Sequence, residues 1–155
     1  MDDQTVATEG EIQAFIPCFS SGILVASVLA PWDEYFFGNF TFYWLPQAVV
    51  LGILMAVYPR PAAISGAAVV LAAYLAAFGA WLFLRSHSHT ESLVWLGYLF
   101  SLPGAAIGAA AGVVLAKRRN IQPAETVSMV VAVPTLVGLV LNQTLICSTL
   151  MHCSF

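Results

Sequence analysis

Histidine and carboxylate side chains, which could bind a metal ion, lie outside the long apolar runs of this sequence. His87 and His89 stand in the short polar stretch between two such runs. Further residues with this chemistry are Asp33, Glu34, Cys147, His152 and Cys153. Gathered on one side of a membrane, such groups could form a transition-metal site. No stretch has a recognised ligand spacing, so we predict no metal and no cofactor, with His87 and His89 as the nearest candidates.

Uncharged polar side chains within the apolar runs form the second candidate site. They are Gln47, Ser101, Asn142, Gln143 and Thr144. With the topology described below, they lie towards the same side of the membrane. Unpaired amides in hydrocarbon are costly, so we expect these groups to face one another or water. Three interpretations stay open: a small vestibule that opens to the outside, a hydrogen-bonded clasp between helices, or solvation of Asn142 and Gln143 at headgroup level.

The apolar runs that are predicted to span the membrane contain no charged side chain. No Asp, Glu, Lys, Arg or His lies within the five apolar runs. Coupled transporters and pumps commonly place such a residue there, so this class is disfavoured, although coordination by backbone carbonyls stays open. There is no Gly-x-Ser-x-Gly or His-Glu-x-x-His motif, and we predict that the protein is not an enzyme. No basic stripe could follow nucleic-acid phosphates.

Small residues recur at helical spacing in the fourth run. Gly104, Gly108 and Gly112 are four residues apart, so they would stack on one face of a helix. The further members of the predicted packing set are Gly97 and Ser101 on the same run, and Gly66, Ala73 and Ala77 on the third. Small residues allow the close backbone approach that holds membrane helices together. This face would receive either the third or fifth helix of the same chain, or a helix from a partner or second copy.

The elements that must position these residues are membrane helices. Of the 155 residues, 60% are hydrophobic and only 8% are charged, with a mean hydropathy of +0.87. A soluble domain could not cover so apolar an interior with so few charges. The first eleven residues contain no lysine or arginine, so the first run is expected to be a retained span rather than a secretory signal.

Five apolar runs approach or reach the roughly 20 residues that cross a bilayer. We predict an all-α bundle with spans at about 12–30, 40–58, 62–84, 92–116 and 126–148. Each run is too long for a barrel strand and lacks alternation. The domain organisation is then an acidic tail at 1–11, one transmembrane domain at 12–148 and a short external tail at 149–155. Short connections predict that consecutive helices are antiparallel neighbours. Because the first run contains Pro17 and three serines, a four-span alternative with 12–30 re-entrant or interfacial stays open.

Basic residues predict the orientation of the bundle. Arg60, Lys117, Arg118 and Arg119 fall on one side of the membrane, and Arg85 falls on the other. The positive-inside rule then places the N-terminus in the cytoplasm and the C-terminus outside. We expect the bacterial inner (plasma) membrane. On an oxidising outer side Cys147 and Cys153 could pair, but only if the end of the last helix unwinds, because their spacing would point them apart.

These features favour a non-catalytic membrane protein that works through helix contacts in the bilayer, either an accessory subunit or a protective protein of the immunity type. The immunity type is suggested by size and class alone. The alternative is a channel or facilitative transporter for an ion or small solute that uses the polar vestibule. A membrane enzyme with outer histidines is the third interpretation. The expected partners are the lipid bilayer and a membrane protein or second copy at the Gly104–Gly112 face, with no nucleic acid.

Overall fold

Each of the five apolar runs forms a helix. The structure, a computed structural model, describes residues 9–85 and 91–151. The helices are α1 Glu9–Leu29, α2 Phe36–Val57, α3 Pro61–Arg85, α4 Glu91–Arg118 and α5 Ala124–Ile146, and a π-helical turn Cys147–Met151 follows. All five α-helices are long and apolar enough to span a membrane, and the described residues contain no strand. The prediction of a five-helix transmembrane bundle is confirmed.

The first two helices begin earlier than the sequence predicted. α1 is continuous through Pro17 and begins at Glu9, so it includes the last residues of the predicted acidic tail. α2 begins at Phe36 rather than residue 40, after a turn in which the Asp33 carboxylate accepts a hydrogen bond from the Tyr35 backbone N–H at 2.9 Å. The limits of the other three helices lie within two residues of the predicted ones.

Small side chains make α3 the central helix of the bundle. Ala62, Ala63, Ala67 and Ala68 are buried, and they let α1 pack on one side of α3 and α5 on another. The most extensive interface joins α4 to α5, while α2 makes smaller contacts with α1, α3 and α4. Consecutive helices contact one another, as expected, but the largest interface of α1 is with α3 rather than with α2. Short connections fix the antiparallel direction of neighbours but not the extent of their contact.

One end of the bundle collects the start of α1, the turn at residues 58–60 and the turn at residues 119–123. We call it the basic end, because it contains Arg60 together with Lys117 and Arg118 at the end of α4 and Arg119 just after it. Asn120, two residues after the end of α4, has the left-handed conformation, with φ of 47°. Asparagine tolerates this conformation better than most residues. The chain reverses here, and the carbonyl groups of Ile121 and Gln122 turn towards Arg60.

Candidate functional site

The glycine face of α4 lies directly against α5. A Cβ added to Gly108 would come within 3.0 Å of the Pro134 carbonyl carbon and the Thr135 Cα, closer than real Cβ atoms approach. Gly104 meets the backbone of Gly138 in the same way, and Gly112 meets Val130 and Val131. The face is thus occupied by a helix of the same chain, and a partner helix would have to displace α5 to reach it.

The remaining members of the predicted packing set separate into two groups. Gly97 and Ser101 are buried on α4, and Gly66 of α3 is buried against the Ser128 backbone of α5. Ala73 and Ala77 are exposed on α3, so they do not continue the packed seam that was predicted for them. Ala73 lies about two helical turns beyond Gly66, where it borders a groove beside α1.

Gln47 and Tyr98 form the buried centre of a polar cluster between α2 and α4. The Gln47 amide donates a hydrogen bond to the Tyr98 hydroxyl at 2.7 Å. The Tyr98 hydroxyl in turn donates to the Tyr43 carbonyl oxygen at 3.1 Å. Gln47 is 1% exposed and Tyr98 is 0% exposed. α1 covers the cluster as well, because a Cβ added to Gly22 would lie 3.2 Å from Gln47 Oε1. The amide nitrogen of Gln47 therefore has a hydrogen-bond partner within the protein.

Ser101 and Gln143 extend this cluster to α3 and α5. The Ser101 hydroxyl donates to the Tyr98 carbonyl at 2.6 Å, and Tyr74 lies within hydrogen-bonding reach of Ser101. The Tyr74 hydroxyl donates to Gln143 Oε1 at 3.1 Å. Three of the predicted vestibule residues thus belong to one network, which we call the tyrosine–amide network. It consists of Gln47, Tyr74, Tyr98, Ser101 and Gln143.

The other two vestibule candidates lie outside the network. Asn142 is half-buried, and its amide donates to the Phe100 carbonyl oxygen at 2.5 Å, which ties α5 to α4. Thr144 is exposed and donates to the Leu141 carbonyl of its own helix. Gln47 and Ser101 are therefore buried and hydrogen-bonded, and Asn142 links two helices, whereas Thr144 bonds within its own helix.

Aromatic rings surround the tyrosine–amide network. Tyr74 and Tyr98 are stacked with their centroids 5.9 Å apart, and Phe78 and Trp95 pack against Tyr98. Tyr43 adds a contact to Trp95 at 4.3 Å. The two tyrosines that join the network were not predicted from the sequence. A clue was present, because each carries a polar group within an apolar run and needs a partner there.

A second polar cluster, which the sequence did not predict, lies at the basic end. The Arg60 guanidinium binds the Glu11 carboxylate at 3.1 Å and the Ile121 carbonyl oxygen at 3.0 Å, and it also donates to the Gln122 carbonyl oxygen. Arg60 is 7% exposed. Burial by itself would lower the pKa of Arg60, but the interactions with Glu11 and Tyr58 outweigh it, so the pKa is raised and the charge is retained. This Arg60 cluster joins the start of α1 to both turns of the basic end.

Lys117 lies beside the Arg60 cluster but is exposed. Its ammonium is 3.4 Å from the Val57 carbonyl oxygen and 4.9 Å from the centroid of the Tyr58 ring. Lys117 also ends a narrow groove of about 130 Å³ between α2 and α4. Arg118 and Arg119, which follow Lys117, are exposed.

Most of the candidate metal ligands lie outside the described residues, among them His87, His89, His152 and Cys153. Within residues 9–85 and 91–151, no three His, Cys, Asp or Glu side chains lie close enough together to hold a metal ion. Cys18 is a free thiol, whereas Cys147 is disulfide-bonded and accepts a contact from the Gln143 amide at 3.6 Å.

The chain was also compared with protein-family models, curated proteins and solved structures, and none of these matches it. Its own residues identify it as an integral membrane protein, whose described part forms a bundle of five helices that are each long and apolar enough to cross the bilayer.

Proposed function

We propose that this protein is a non-catalytic membrane protein that acts through helix contacts inside the bilayer, as an accessory subunit or a protective protein of the immunity type. One observation supports this most directly. The polar side chains at membrane depth are hydrogen-bonded to each other or to the backbone, and Gln47, Tyr98 and Ser101 are buried by their neighbours. A substrate site needs convergent polar groups that a ligand can reach, and buried, paired groups do not meet this need.

The outer surface supports the same proposal. Ala73, Ala77 and Ala80 are exposed on α3, beside an apolar groove of about 390 Å³ between α1 and α3. Side chains as small as these would allow a transmembrane helix of a partner protein to approach α3 closely. We place the protein in the bacterial plasma membrane, where the basic residues at the end of α4 fit the charge expected of a cytoplasmic loop.

The alternative is a channel or facilitative transporter for an ion or small solute. Its support is that Gln47, Ser101 and Gln143 lie in one continuous network across four helices. Transport through this network would require Tyr74 and Tyr98 to separate, since their stacked rings fill the space between the amides.

A flux assay distinguishes the two functions. Liposomes that contain the purified protein should show no more flux of sodium, potassium, chloride or glycerol than empty liposomes. Selective flux that disappears in Gln47→Leu would establish the alternative and overturn the proposal.

The interaction itself is tested in native membranes with a photo-crosslinking amino acid at Ala73. We expect a discrete product whose second chain is identified by mass spectrometry. The matched control is Val133 of α5, which is 59% exposed on another face and should yield lipid adducts only. Equal products at both positions, or adducts with lipid alone at both, would count against a partner on α3.

A further inference from the structure

The groove between α2 and α4 combines an apolar floor with a cation at one end. Its walls are aliphatic along their length, and Lys117 is the charged residue among those that line it. The lining residues include Val50, Leu54, Ala106, Ala110 and Val113. Because α2 and α4 share only a small interface, the groove stays open towards the lipid. Its chemistry therefore matches a ligand with a long apolar part and an anionic end.

The length of the groove matches one leaflet of a bilayer. From Ala106 to Lys117 the α4 helix rises by eleven residues at about 1.5 Å each, or about 16 Å. Half of a hydrocarbon core that is about 30 Å thick is about 15 Å. An acyl chain in the groove would thus end near the midplane while its headgroup reaches the level of Lys117.

The ammonium of Lys117 is held at the mouth of the groove rather than turned away from it. The Val57 carbonyl accepts one of its hydrogen bonds, and the Tyr58 ring lies beneath it. A lysine ammonium has three donors, so hydrogen-bonding capacity is left for a phosphate oxygen. Arg118 and Arg119 are exposed next to it and add positive potential, which attracts anionic headgroups to such sites.

We propose that the α2–α4 groove is a binding site for an anionic phospholipid, with one acyl chain against α2 and α4 and the headgroup phosphate on Lys117. This inference does not depend on the proposed function, because it concerns a different face of the bundle from the α1–α3 groove. The occupant is a membrane lipid rather than a soluble anion, since most of the groove is apolar and faces hydrocarbon.

Native mass spectrometry of the delipidated protein in neutral detergent tests the site. The probes are phosphatidylglycerol and phosphatidylcholine with identical acyl chains, together with glycerol phosphate as a headgroup without chains. We expect tighter binding of one phosphatidylglycerol than of phosphatidylcholine. Lys117→Gln should reduce this preference about fivefold, the contribution of one lysine close to an anionic headgroup. Arg119→Gln removes the same charge away from the groove and should reduce it less.

The apolar part is tested by filling the groove. Ala110→Leu places a larger side chain in the groove and should weaken binding of both lipids. Ala56→Leu makes the same change on an exposed position of α2 outside the groove and should leave binding unchanged. Circular dichroism and gel filtration report whether each variant is folded.

Four results would overturn the proposal. The first is equal binding of phosphatidylglycerol and phosphatidylcholine by the wild-type protein, and the second is an equal loss of the lipid preference in Lys117→Gln and Arg119→Gln. The third is undiminished lipid binding by folded Ala110→Leu, and the fourth is glycerol phosphate that binds as tightly as phosphatidylglycerol.

Discussion

Replacing Gly108 with alanine tests the close approach of α4 and α5 with a single methyl group. The added Cβ would lie 2.7 Å from the Pro134 carbonyl carbon and 2.9 Å from the Thr135 Cα. Ordinary van der Waals contact begins at 3.4 Å. These neighbouring atoms belong to the backbone, which cannot change rotamer to make room. The two helices must therefore separate by at least several tenths of an ångström along the seam.

The expected cost follows from two opposing terms. Overpacking of this kind typically destabilises a protein by about 1–3 kcal/mol. Separation of the helices also weakens dispersion contacts on either side of Gly108. Against this, alanine favours a helix over glycine by up to about 1 kcal/mol. Gly52→Ala on α2 isolates the second term, because a Cβ there has nothing within 4 Å. We expect Gly108→Ala to be less stable than Gly52→Ala by about 1–3 kcal/mol.

Unfolding in mixed dodecyl maltoside and dodecyl sulfate micelles, followed by tryptophan fluorescence, measures this difference. The measurement is repeated over a tenfold range of protein concentration. A seam within one chain predicts the same destabilisation at each concentration. Dependence on concentration would instead indicate that Gly108 contacts a second chain. If Gly108→Ala is as stable as Gly52→Ala, the backbones do not approach as closely as described and the argument fails.

Three further predictions use the same unfolding assay or a topology measurement. Arg60→Met should destabilise the protein by about 3 kcal/mol, because it removes the guanidinium that pairs with the buried Glu11 carboxylate. The same change at exposed Arg118 should alter the stability by no more than about 0.5 kcal/mol. Equal effects of the two substitutions would show that the Arg60–Glu11 pair adds no stability. Tyr98→Phe should cost about 0.6–1.7 kcal/mol, the range for hydrogen bonds between membrane helices, while Tyr35→Phe in the exposed turn should cost nothing measurable. A loss in Tyr98→Phe no larger than in Tyr35→Phe would remove the tyrosine–amide network as a source of stability. Reporters fused to the two ends should read cytoplasmic for the N-terminus and external for the C-terminus, and matching locations would contradict an odd number of spans.

The helices could be predicted from sequence because their cause is local. A run of about 20 apolar residues must satisfy its backbone hydrogen bonds internally in lipid, which leaves the helix as the solution. The start of α1 was less predictable, because Glu9 and Glu11 are acidic and precede the apolar run, although acidic side chains suit the first turn of a helix. The carboxylate of Glu11 finds its partner at Arg60, and 49 positions separate the two residues.

The tyrosine–amide network was likewise predicted only in part from the sequence. Gln47, Ser101 and Gln143 were identified because amides and hydroxyls at membrane depth need partners. The partners themselves, Tyr74 and Tyr98, depend on how α3 and α4 are rotated about their axes, which no local pattern specifies. The glycine row on α4 predicted a close contact, but α5 contributes only one glycine, Gly138, to that contact, so the sequence of α5 gave little indication that it was the partner.

The Arg60 cluster also implies an order of assembly during synthesis. Chains are made from the N-terminus, so Arg60 can pair with Glu11 as soon as α2 has crossed the membrane. The carbonyl groups of Ile121 and Gln122 are made about 60 residues later, after α4 has been inserted and Asn120 has reversed the chain. Until then, the Arg60 guanidinium has N–H donors whose acceptors in the finished protein, these two carbonyl oxygens, have not yet been made. A chain that stops before this turn thus lacks both of these acceptors together with the whole of α5, the main packing partner of α4.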